Sequence, residues 1–134
     1  MTEFAEDQWS RALNSLRAAH ACLEVDLDSA ASRAYYAVFH AVTALFALRG
    51  QHFTKHTGLR AAVHRDLVHA GEWREELGGF YDDVMGTREI EDYGEGPHVD
   101  REGVELALRE ARAILEAVSL AAPGHFPIAG LPEL

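Results

Sequence analysis

Ser32-Arg33-Ala34-Tyr35-Tyr36-Ala37-Val38-Phe39-His40 reads as the middle of a long helix at the centre of a bundle. Around it, Ala34, Val38, Ala41, Leu45 and Leu48 recur four and three residues apart, and Tyr35, Phe39, Val42 and Phe46 form a second apolar stripe beside them. A helix apolar over so much of its circumference must be covered on several sides. Asp26 or Asp28 serves as its N-cap, and Gly50 follows its last periodic residue as a stop.

Working outward, Trp9, Leu13, Leu16, His20 and Leu23 mark one face of a preceding helix, from Phe4 to Leu23. Downstream, Leu59, Val63, Leu67 and Ala70 line a third helix ending near Gly71. Leu77, Tyr81, Val84 and Arg88 have helical spacing for a fourth, although Gly78-Gly79 cost about 1 kcal/mol each relative to alanine in a helix interior. That pair predicts a kink or a close packing contact. Tyr93-Gly94-Glu95-Gly96-Pro97 reads as a loop, and Asp100 caps a last helix carrying Val104, Leu108, Ala111, Leu115 and Val118. No segment combines β-branched enrichment with two-residue alternation, so a sheet has no source. The expectation is an all-α, up-and-down bundle of about five helices over residues 1–121, with 122–134 an extended or disordered tail holding three of the four prolines.

The 134 residues suit one domain. A lone cysteine, Cys22, cannot form an internal disulfide, and the acidic start MTEFAEDQW is unlike a basic-then-apolar secretory leader, so a cytoplasmic location is expected. The apolar runs are interrupted well before the roughly 18 residues that a membrane span requires. A net charge of −10 argues against broad, non-specific nucleic-acid binding, which depends on Lys and Arg neutralising phosphates, but permits a local basic site.

Against the apolar helix, Arg33, Tyr36, His40 and Thr43 share a third face, with Ser29 and Ser32 near its start. As structure, such a line faces solvent or a subunit interface. As a site, it offers a guanidinium for a two-pronged phosphate contact, a phenol to stack or hydrogen-bond, and an imidazole that moves a proton near neutral pH. Spacing does not choose between the two. A second group, Thr87-Arg88-Glu89-Ile90-Glu91-Asp92-Tyr93, places Arg88 on the apolar stripe of helix four, with Asp92 one turn on as its natural partner. A helix-ending ion pair and a packed tyrosine would account for it equally well.

Ser32 to Ala37 with Phe39-His40, then His56 and Gly58, then Arg88 with Asp92-Tyr93, resembles the HEPN (higher eukaryotes and prokaryotes nucleotide-binding) family, in its small stand-alone prokaryotic branch, from about Leu13 to Val118. The resemblance implies a dimerising helical bundle, often encoded beside a minimal nucleotidyltransferase as a two-gene toxin and antitoxin pair. It also implies metal-independent ribonuclease chemistry in many members, carried by an Arg, four to six intervening residues and a His. Here the position five after Arg88 is Tyr93, and the first downstream histidine is His98, beyond Pro97. Arg33 and His40 are the pair with permitted spacing, on a different helix from the one that normally bears the motif.

Two functional expectations follow from the resemblance. One is a binding component of such a module, a homodimer that engages a nucleotidyltransferase partner and a nucleotide or RNA through Tyr36, Asp92 and Tyr93. The other is an endoribonuclease with Arg33, His40 and Arg88 as its catalytic groups; in either case a pocket joining the two residue sets is expected. No cofactor is implied. A metal-binding bundle is the third alternative, because His52 and His56 are four apart and His64 and His69 five apart. It is weakened by the absence of a Cys pair and of inward Glu-x-x-His repeats, so no metal ligands are assigned.

Overall fold

A computed structural model describes residues 2–93 and 99–131, and for residues 88–93 the backbone alone. Five α-helices follow one another: α1 (Thr2–Cys22), α2 (Leu27–Leu48), α3 (His56–Ala62), α4 (Glu75–Tyr93) and α5 (Arg101–Ala121). No strand occurs among the described residues, and the chain folds as an all-α bundle. A turn of π-helix, Val63–Val68, continues directly from α3. None of the described helices is long and apolar enough to cross a membrane.

α2 occupies the centre. It packs most extensively on α1 and then on α5 and α4, while α4 also pairs with α5. Ala34, Val38, Ala41 and Leu45 are fully buried, as are Tyr35, Val42 and Phe46 on the adjoining stripe. The helix begins where Asp26 accepts a hydrogen bond from the Asp28 amide at 3.2 Å and one from the Ser29 hydroxyl at 2.6 Å. It ends before Gly50, whose φ of 82° is a left-handed conformation that only glycine adopts cheaply. Asp100 caps α5 in the same way, accepting from the Gly103 amide at 2.8 Å.

α1 buries a narrower stripe than its bulky residues suggest. Ala5, Trp9, Ala12, Leu16 and Ala19 are its buried residues. Leu13 and His20 lie at the margin, half-buried. Three alanines on the buried stripe leave room for α1 to lie along α2, and this pairing is the most extensive among the described helices.

Gly78 resolves the expectation for helix four as a close contact. A Cβ there would come within 3.0 Å of a Val68 methyl and 3.1 Å of the His64 ring, whereas one at Gly79 would meet nothing within 4 Å. The segment after α5 is held down: Phe126 is buried with its ring 5.3 Å from that of Trp9, Trp9 Nε1 donates to the Pro127 carbonyl at 2.9 Å, and Ser119 donates to the Phe126 carbonyl at 2.6 Å.

Candidate functional site

The polar line of α2 emerges where α1 and the start of α3 flank it. His56, the first residue of α3, lies flat against Phe39 with ring centroids 4.6 Å apart and planes at 22°. Its Nδ1 is hydrogen-bonded to the hydroxyl of the buried Tyr35. Tyr36 meets this group edge-on, 6.3 Å from His56 and 5.3 Å from Tyr35, and reaches towards His40, also 6.3 Å away. The result is a continuous aromatic and imidazole patch, buried at Tyr35 and half-buried at Tyr36, Phe39, His40 and His56.

α1 supplies the other wall. Gln8 Oε1 lies 2.8 Å from His40 Nδ1, so the carbonyl of the amide accepts and Nδ1 carries the proton. Burial, and then the charge of Arg11, push the His40 imidazole below its ordinary value, and Asp7 opposes them less strongly. The neutral imidazole is therefore favoured at neutral pH. Arg11 sits one turn along α1 from Gln8, exposed and ion-paired to Asp7 at 2.9 Å. Arg33 is exposed on α2. Two guanidiniums thus border the patch, one from each helix, on a chain that is otherwise strongly acidic.

The residues read from the sequence are partly brought together. Tyr36 and His40 share the patch, and Arg33 lies on the same face one turn before Tyr36, projecting to solvent rather than inward. The side chains of Arg88, Asp92 and Tyr93 lie outside the described residues, as does His98. Sequence reasoning missed Gln8 and Arg11, which have no periodic signature on α1. His56, which the sequence offers only through the resemblance and its spacing from His52, is stacked by folding on the centre of the site. Among the described residues, no group of three or more His, Cys, Asp or Glu is placed to hold an ion. His64 is instead bonded to Asp82 at 3.0 Å, and Arg60 donates to the same oxygen at 2.8 Å.

The model of the HEPN domain matches residues 5–121, nearly the whole described bundle. The chain belongs to the HEPN family. A UPF0332 protein of Thermotoga maritima is 40% identical to it over 92 residues, which cover 69% of this chain and 70% of the relative. Within this HEPN domain, the run from Ser32 to His40 is the central helix and its most elaborated surface at once. The inward half of each turn builds the core, and the outward half builds the patch.

Proposed function

We propose that this HEPN protein is a binding component of a two-gene toxin and antitoxin type module, working as a homodimer beside a minimal nucleotidyltransferase and taking a nucleotide or RNA on the α1–α2 face. The observation that carries this reading is the patch of Tyr36 and His40 bordered by Arg11 and Arg33. An aromatic ring accepts a base by stacking, an imidazole reads its edge, and guanidiniums hold phosphate. With a net charge of −10, only a local cluster of this kind offers an anion a favourable approach. Self-association is supported by α5, where Leu106 and Leu120 remain 49% and 80% exposed.

Calorimetric titration with a mononucleotide and with a short single-stranded RNA tests the reading. Binding that falls at least fivefold in both Arg11→Ala and Arg33→Ala is the expected result, and unaltered affinity in both variants would overturn it. Partnership is checked separately by co-purification with the product of a neighbouring nucleotidyltransferase gene.

A second reading, metal-independent cleavage of RNA, draws support from the neutral, oriented His40. Its free Nε2 is suited to accept a proton from a ribose 2′-hydroxyl while Arg33, two turns or about 10 Å along the helix, holds phosphate. Cleavage of RNA in the presence of chelator, abolished in Arg33→Ala, His40→Ala and Arg88→Ala, is its required outcome.

A further inference from the structure

We infer that Gln8 is a specificity-determining residue: by fixing His40 with its proton on Nδ1, it turns Nε2 into an acceptor, so the site selects nucleotides that present a hydrogen-bond donor. The inference rests on the nucleotide-binding reading and adds the chemistry of the group that is read. A neutral imidazole has one donor and one acceptor, and the bond made by one nitrogen decides the role of the other. Gln8 places its carbonyl oxygen 2.8 Å from Nδ1, and an oxygen there can only accept. Nε2 is then left with its lone pair.

The setting preserves that state. α1 contributes Asp7 and Arg11 as the charged groups that act on His40, and they are ion-paired with each other at 2.9 Å, which leaves little net charge to recruit a second proton. On α2, Phe39 meets the His40 ring at 74° and 5.5 Å, and Tyr36 at 35° and 6.3 Å, so two of the ring's neighbours are aromatic. Gln8 is itself half-buried on α1, 32 residues from its partner in sequence, and therefore ties the two helices and the tautomer together.

An acceptor on the protein discriminates sharply, because a ligand that presents another acceptor there leaves two lone pairs opposed and both groups unsatisfied. The donor could be an exocyclic base amine, as in adenine or cytosine, or a ribose hydroxyl. Adenosine 5′-monophosphate, inosine 5′-monophosphate and 2′-deoxyadenosine 5′-monophosphate separate these sources. Inosine puts a carbonyl acceptor where adenosine has its amine and carries its donor at N1 instead, and the deoxynucleotide lacks the 2′-hydroxyl.

The experiment measures the affinities of these three nucleotides for the wild type, Gln8→Leu and Gln8→Glu, together with the nitrogen-15 shifts of His40 in the unliganded proteins. The wild type should show the Nδ1–H tautomer at pH 7 and bind adenosine monophosphate about tenfold more tightly than one of the other two. A weaker inosine nucleotide identifies the base amine, and a weaker deoxynucleotide the hydroxyl. Gln8→Leu should show mixed tautomers and lose that preference, while Gln8→Glu, an acceptor whose charge also favours a second proton on the ring, should keep it at a pH where the nitrogen-15 shifts show His40 singly protonated. An Nε2–H or doubly protonated His40 in the wild type overturns the inference even where nucleotides bind. So does equal affinity for all three nucleotides. Absence of binding by all three with the Nδ1–H tautomer intact removes the nucleotide reading instead, and the selectivity claim falls with it.

Discussion

Replacing Glu110 by glutamine should remove a specific part of the pH dependence of stability. Glu110 faces the α4–α5 contact and is only 5% exposed. Burial, followed by the hydrogen bond and the charge of Asp83, pushes its carboxyl up to about 7, with Arg109 opposing weakly. In an unfolded chain a glutamate titrates near about 4.3. Between these values the folded protein holds a proton that the unfolded chain has released, so the stability due to this group is complete below about 4.3 and is lost as pH rises through about 7. That displacement corresponds to at most about 4 kcal/mol. The protonated carboxyl donates to Asp83, and the amide of glutamine has nearly the same shape and donates to it at every pH. Urea unfolding of both proteins at intervals from pH 4.5 to 8 isolates the Glu110–Asp83 pair, since carboxylates that do not interact with Glu110 titrate in both and cancel in the difference. The variant should gain on the wild type by on the order of 2 kcal/mol across this range. A difference that stays flat with pH would refute the placement of Glu110 as a proton-holding buried acid.

Four further substitutions probe packing and assembly. Gly79→Ala should stabilise the protein by about 0.5–1 kcal/mol, because α4 is helical there and a Cβ meets nothing, while Gly78→Ala should fail to gain and should lower the unfolding midpoint by crowding His64 and Val68. Phe126→Ala should cost about 3 kcal/mol or more in denaturant unfolding, as expected for a buried ring packed against Trp9. Leu120→Glu should shift the mass measured by light scattering from dimer to monomer without changing the helical circular dichroism, whereas an unchanged mass would exclude this face of α5 from self-association.

What the sequence revealed was what a single helix determines for itself. The two stripes of α2, the caps at Asp26 and Asp100 and the stop at Gly50 each depend on residues within a turn or so of one another. The tight role of Gly78 could be anticipated as an alternative to a kink, but its partners, His64 and Val68, lie on another element and on a π-helical turn with no periodic signature. The site was harder to read for the same reason. Tyr36 and His40 announced themselves as polar departures from an apolar helix, whereas Gln8 and Arg11 are ordinary surface residues of α1 until the close α1–α2 pairing, permitted by Ala5, Ala12 and Ala19, sets them beside His40. His56 gains its place only through stacking on Phe39. Local spacing carries no record of such pairings.

The central claim is that the α1–α2 face receives a nucleotide. Its most direct test is mapping of amide and side-chain shifts during titration of the full chain with adenosine 5′-monophosphate. The account predicts saturable shifts concentrated at Gln8, Arg11, Arg33, Tyr36 and His40, with α5 unaffected. Saturable shifts confined to other surfaces, or none at millimolar nucleotide, would contradict it.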